Sequence, residues 1–136
     1  MSVRSFFDTN VLVYTDDRAS PKKQRVALDL FEEHLRAGSG VLSLQVLQEY
    51  FAAACKLRVD PALARQKVEL FATLDLVLPG LDDLLAAIDL HRLHRISIWD
   101  GLVVRAAQRS GCRVLLTEDL QTGRSFDGLR VVNPFA

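Results

Sequence analysis

Apolar and polar residues fall along this chain in short blocks, and their period switches repeatedly between that of a strand and that of a helix. Val3 to Phe7 reads as a strand that Asp8 ends, and Asn10 to Tyr14 as a short helix closed by Asp16 and Asp17. Ser20-Pro21 is a strong helix start, with Ser as N-cap and Pro at the first helical position. That helix runs to about Arg36, with Val26, Leu30, Phe31 and Leu35 on one stripe, and Gly38-Ser39-Gly40 stops it. Val41-Leu42 is a short strand. The stretch Ser43 to Lys56 is helical, with Leu47, Tyr50, Phe51 and Ala54 spaced to face a core. Asp60-Pro61 repeats the cap-then-Pro signal and predicts helix to about Leu74. Asp75 to Leu78 is a brief strand, and Pro79-Gly80 turns the chain into a helix from Leu81 to about His94. Ser97-Ile98-Trp99-Asp100 fits a capping box, and its helix ends at Gly111. Arg113 to Leu116 is a strand, Glu118 to Asp127 a loop, and Leu129 to Val132 a last strand.

Strands alternating with helices predict an α/β fold with a mainly parallel sheet. The 136 residues suit one domain spanning 1–136, with no repeat, low-complexity segment or linker to divide it. In parallel sheets ligands bind beyond the carboxyl ends of the strands. Asp8 and Asp119 each lie just past such an end.

Composition narrows the class only a little. Nearly half of the residues are hydrophobic and a quarter are charged, as in ordinary globular proteins. No apolar run approaches the roughly 18 residues of a membrane span, and the N-terminus lacks the apolar stretch of a signal peptide. A soluble cytoplasmic protein with no membrane contact is the expectation. The formal net charge is zero, from 17 basic and 17 acidic residues. If a few acids are withdrawn into a metal site, a modest basic surplus is left to meet a phosphate backbone. Cys55 and Cys112 form no CxxC pair and are expected to be buried, reduced thiols.

The candidate chemistry lies in four acids: Asp8, Glu49, Asp100 and Asp119. Gathered around one cleft, they would hold a hard divalent cation, Mg²⁺ or Mn²⁺. Such an ion is a standard means of hydrolysing a phosphodiester, giving 5′-phosphate and 3′-hydroxyl ends. Each acid also has a plainer reading. Asp8 suits a strand end or helix cap, Asp100 suits a first helical turn, and Asp119 suits a loop. Glu49 has Val46 and Ala53 as same-face neighbours, where an unpaired carboxylate is costly. Asn10 and Thr117 are candidates to hold the carboxylates by hydrogen bonds, ahead of Thr9.

These residues resemble a known family. Phe6-Phe7-Asp8-Thr9-Asn10 resembles the opening motif of PIN-domain ribonucleases. Leu44 to Phe51, around Glu49, is similar to the second motif of the bacterial VapC-type toxins in that family. Ser97 to Asp100 looks like the third motif, Leu116 to Gln121 like the fourth, and Asn133-Pro134-Phe135 like the usual ending. The resemblance implies a three-layer PIN-like domain with a mainly parallel central sheet flanked by helices. It also implies Mg²⁺ or Mn²⁺ dependence, endonucleolytic cleavage of RNA, a homodimer, and inhibition by a cognate antitoxin protein in a toxin–antitoxin system. Of the adjacent pair Glu118 and Asp119, it assigns the cleft to Asp119. Gly101, inside the helix that Asp100 opens, costs about 1 kcal/mol relative to Ala.

Other polar and aromatic residues have structural explanations. His91 and His94 suit a helix C-terminus better than a zinc site, and no HExxH is present. Trp99 is expected in core or interface packing, and base stacking is its minority reading. Tyr50 and Phe51 read as core or dimer interface. Arg18, Lys22, Lys23 and Arg25 read as a solvated face. Two other functions compete with the nuclease. A phosphatase of the haloacid-dehalogenase type also places Asp after its first strand, but wants a second acid where this chain has Asn10. A catalytically inactive module that binds RNA or a partner would not need all four acids.

Overall fold

The computed structural model describes residues 2–136, and its elements follow the hydrophobic pattern closely. They are β1 (Ser5–Phe7), α1 (Thr9–Tyr14), α2 (Pro21–Ala37), β2 (Gly40–Ser43), α3 (Leu44–Lys56), α4 (Pro61–Phe71), β3 (Asp75–Val77), α5 (Leu81–His94), α6 (Ile98–Arg109), β4 (Val114–Leu116), β5 (Ser125–Phe126) and β6 (Leu129–Val132). The sheet order is β3-β2-β1-β4-β6-β5. Every pairing is parallel except β5 with β6. This is the α/β fold expected, a mostly parallel sheet flanked by helices.

From β1 the chain steps outward to β2 and then β3, and only afterwards crosses back to β4 on the other side of β1. Right-handed crossovers then put α1–α4 on one face and α5–α6 on the other. The packing agrees: α1 lies on α2 and α3, α3 on α4, and α5 on α6. The β1/β4 pair is the point where the strand order reverses, with Phe7 opposite Leu116. Phe6, Phe7, Leu42, Leu115 and Val131 of the sheet are fully buried, as expected for short strands covered on both faces.

Several boundaries and facings differ from expectation, each for a local reason. The first strand begins at Ser5 rather than Val3, which is half exposed. Pro21 opens α2 as predicted, but the Ser20 side chain makes no cap hydrogen bond. The α2 core stripe is rotated from the one predicted. Ala27, Phe31 and His34 are buried and Leu35 is exposed. His34 goes inward because its Nδ1 pairs with Ser39 Oγ at 2.6 Å and its ring packs edge-on to Phe7. Helix α4 stops at Phe71, although Leu74 beyond it is buried. On α3, Tyr50 is in the core but Phe51 is exposed. Cys112 is buried, whereas Cys55 is exposed.

The stretch expected to be loop, Glu118 to Asp127, contains β5. Asp127 and Gly128 both adopt positive φ, at 50° and 89°, which makes a two-residue hairpin turn between β5 and β6. Gly101 also has a physical reason. A Cβ there would lie 2.7 Å from the Ala87 carbonyl oxygen, so α6 crosses α5 at a distance only glycine permits. Among the described residues no helix is long and apolar enough to cross a membrane.

Candidate active site

Asp8 leaves the carboxyl end of β1 and caps α1, accepting the Thr9 backbone N–H at 2.7 Å. It is 5% exposed. Just past the carboxyl end of the neighbouring strand β4, Thr117 supplies a hydroxyl that serves three bonds. It donates to Asp8 Oδ2 at 2.8 Å, and it accepts from Asn10 Nδ2 at 3.2 Å and from the Asp119 backbone N–H at 3.0 Å. Asn10 Nδ2 also reaches Asp8 Oδ2 at 3.4 Å, and Asn10 Oδ1 accepts the Glu118 N–H at 3.3 Å. The switch point is thus laced together by Asn10 and Thr117, and both fix the Asp8 carboxylate.

Asp100 comes from the first turn of α6. Ser97 caps that helix by accepting the Asp100 N–H at 3.0 Å. The return bond of a capping box, from the Ser97 backbone N–H to the Asp100 carboxylate, is not made; the Ser97 hydroxyl is the helix-end group that meets that carboxylate. One oxygen each of Asp8, Asp100 and Asp119 lies within 4.8 Å of the others. The three line a cleft of about 310 Å³ together with Thr9, Gln45, Glu49 and Trp99. No Lys or Arg lines it among the described residues.

Such crowding shows in the acidities. Burial pushes the Asp8 carboxyl from 3.8 up to about 6, against the pull of the bonds from Thr117 and Thr9. Asp119 and Asp100 push it in the same direction. Burial also raises Asp100, and the Asp119 charge adds to it while the nearby Ser97 hydroxyl opposes. Three oxygen donors without a balancing cation suit a hard divalent ion such as Mg²⁺ or Mn²⁺, so the residues present fit the metal that the sequence implies.

Glu49 stands apart from this trio. It lines the same cleft but is exposed, so the cost of burying it beside Val46 and Ala53 does not arise. Its Oε1 accepts from Thr9 Oγ1 and from Gln45 Nε2, each at 3.1 Å. Gln45 was absent from the sequence reading, although a residue four positions before Glu49 on a helix is placed to meet it.

Glu118 and Asp119 diverge. Glu118 is turned to the other side, where Tyr14 Oη donates to its Oε1 at 2.5 Å and Lys23 Nζ to its Oε2 at 3.1 Å. Lys23 also sits over the Tyr14 ring, which packs edge-on to Phe135. Lys23 is therefore not part of a merely solvated face. This clamp ties α1, α2, the loop after β4 and the C-terminal segment, and leaves Asp119 facing the carboxylates. Trp99, expected in core or interface packing, is not in the core: it is 62% exposed at the cleft. His91 follows the helix-end reading, its Nδ1 meeting the Ile96 carbonyl at 2.6 Å.

A comparison with curated proteins finds no match. Among solved structures the chain is similar to one in a toxin–antitoxin complex from Klebsiella pneumoniae, with a TM-score of 0.69 and 20% identity over 96% of this chain and 97% of that one. At that identity the likeness shows a common fold. The PIN domain model matches residues 5–124, from the first strand to just before β5. Every element that carries one of the four acids falls inside that match, and the chain belongs to the PIN domain family.

Proposed function

We propose that this protein is a Mg²⁺- or Mn²⁺-dependent endoribonuclease and the toxin of a toxin–antitoxin pair. The observation that carries the reading is the convergence of Asp8, Asp100 and Asp119 to within 4.8 Å at the switch point of a PIN domain sheet. A divalent cation held there would supply Lewis acidity toward a phosphodiester and a water acidic enough to ionise near neutral pH. The residues prepare the site. Asp8 must lose its proton, and Thr117 and Thr9 hold its oxygens in place for that. Asp100 and Asp119 approach it from α6 and from the loop after β4. Glu49 closes the cleft from α3, steadied by Thr9 and Gln45. In this reading these four acids are the metal-binding and catalytic set, with Asn10 and Thr117 in support.

The partners follow from the same reading. The fold neighbour is titled a toxin–antitoxin complex, which supports an antitoxin partner. Helix α5 buries Asp83 and Ala87 but exposes Leu81, Leu84, Leu85 and Ile88 at helical spacing, which supports a homodimer formed through that apolar face. An RNA target puts the activity in the cytoplasm. A phosphatase of the haloacid-dehalogenase type is disfavoured, because the position of its second acid is Asn10, whose amide is engaged with Asp8, Thr117 and Glu118.

The test is incubation of total RNA with Mg²⁺ or Mn²⁺, comparing wild type, Asp100→Asn and wild type with EDTA. Discrete cuts with 5′-phosphate ends that vanish in both controls are expected. RNA left intact by correctly folded wild type, or cut equally by Asp100→Asn, would overturn the reading.

A further inference from the structure

Trp99 is the only tryptophan in the chain, and it sits one residue before Asp100. Its side chain is 62% exposed on the wall of the carboxylate cleft. A flat ring exposed on a cleft wall is free to take a planar partner in an offset-stacked arrangement. The backbone beneath it is firmly placed. Ser97 caps the helix, Gln45 Nε2 approaches the Trp99 carbonyl at 3.5 Å, and Gly101 lets α6 pack tightly on α5. Among the described residues the cleft offers an RNA chain no Lys or Arg, and its charged groups are acids that repel phosphates. A divalent ion answers that repulsion at one phosphate. It does nothing for the neighbouring base, and among the described residues Trp99 is the only aromatic lining the cleft.

We propose that Trp99 is a base platform, on which an unpaired base next to the scissile phosphate stacks. The inference rests on the nuclease reading and adds a residue that helps decide where the RNA is cut. Stacking needs a π-face free of its own neighbours, so the nucleotide must lie in a single-stranded segment or loop rather than in a duplex. Any base can stack, but larger rings stack more strongly, so the preference at the cut reflects ring size as well as hydrogen bonding.

The sole tryptophan reports on itself. Intrinsic fluorescence of the full-length wild-type protein in Mg²⁺ is titrated with a short single-stranded RNA made with non-cleavable linkages, a fully paired duplex of the same sequence, and the single strand with an abasic nucleotide beside the cleavage position. RNA binding is followed in parallel by anisotropy of a labelled strand. Quenching by the intact single strand, and not by the duplex or at the abasic position, is expected. In the otherwise wild-type protein, Trp99→Ala should weaken single-stranded RNA binding about tenfold and flatten the base preference at the cut. Trp99→Phe should keep most of both, and Mg²⁺ affinity should be unchanged in either. RNA that binds without quenching, or unchanged cleavage sites in Trp99→Ala, would overturn the proposal. So would a blue-shifted emission that depends on protein concentration, which would place Trp99 in a protein–protein contact. Quenching by RNA that wild type does not cut would instead keep the platform and remove the nuclease. RNA that neither binds nor is cut removes both.

Discussion

Asp8 and Asp83 are each only 5% exposed, yet their carboxyls shift in opposite directions, because Asp8 lies deep among neutral and acidic groups and Asp83 lies near the surface among donors and arginines. Asp83 caps the start of α5 by accepting the Gly80 N–H at 2.9 Å. It also accepts from Arg105 Nε at 2.9 Å and from an Arg109 nitrogen at 2.6 Å. The Gly80 amide first, and then the two guanidinium groups, hold its carboxyl below the usual range. Burial pushes the Asp8 carboxyl up to about 6; its neutral donors, Thr117 and Thr9, only partly oppose this, and the charges of Asp119 and Asp100 add to it. One carboxylate completes a structural network that joins α5 to α6. The other is arranged at a cost to the fold, and its natural complement is a cation that the protein itself does not supply. A stability loss at Asp8 set against a stability gain at Asp83 is what the proposed metal site requires.

The widest separation between the two regions should appear in activity. Asp100→Asn is expected to lower RNA cleavage by about a thousandfold or more, since it removes one of three close oxygen ligands. Asp83→Asn should leave the cleavage rate per folded molecule unchanged, as measured on a single labelled RNA. If both variants lost activity equally, the distinction between the regions would fail.

Stability should move the other way. Folded Asp8 titrates near 6 and its unfolded counterpart near 3.8. Between these values the folded state holds the extra proton, so metal-free stability falls as pH rises through the window and the penalty is complete above about 6. A shift of this size corresponds to about 3 kcal/mol. Asp8→Asn should therefore stabilise the metal-free protein at pH 7.5 by up to about 3 kcal/mol and flatten its pH dependence between 4 and 6. Urea midpoints in EDTA across that range check it, and a loss of stability in the variant at pH 7.5 would count against the account. Mg²⁺ should raise the wild-type midpoint at pH 7.5 and do little at pH 5, where Asp8 is mostly protonated.

At Asp83 the expected change is a loss. Asp83→Asn gives up charge-assisted bonds to two partly exposed arginines and should cost about 2 kcal/mol in urea unfolding. The smallest effect belongs to the clamp on the loop after β4. Tyr14→Phe removes the bond donated to Glu118 and the long one accepted from the partly exposed Lys23, together about 1 kcal/mol. It should weaken Mg²⁺ binding only a few-fold, by loosening Asp119. Calorimetry on that variant separates loosening from unfolding.

The sequence reading and the structure agree where the information is local. Pro21 and Pro61 start helices, Gly38 ends one in the left-handed conformation, and Asp60 and Ser97 cap with their side chains, although Ser20 does not. Strand ends set Asp8 and Asp119 at the carboxyl edge of the sheet, where the topology makes them neighbours. What depends on contacts between distant residues was not legible. The Asp83 network spans separations of 22 and 26 residues, and the Glu118 clamp spans 95 and 104. Neither leaves a periodic trace. The rotation of the α2 stripe follows from a His34–Ser39 pair that hydrophobicity does not predict. The exposure of Trp99 contradicts its chemistry as a core residue, which is the kind of local conflict expected at a functional surface. The β5–β6 hairpin was legible in principle, because Asp127-Gly128 between Phe126 and Leu129 is a strong turn signal.

The most direct test of the central claim is calorimetric titration of Mn²⁺ into metal-free protein at pH 6, run in two buffers of different ionisation enthalpy. The account predicts saturable binding with release of part of a proton from Asp8, and loss of that binding in both Asp8→Asn and Asp100→Asn. It also predicts that Asp83→Asn binds as wild type does. Absence of saturable binding in wild type, or equal binding in Asp100→Asn, would contradict it.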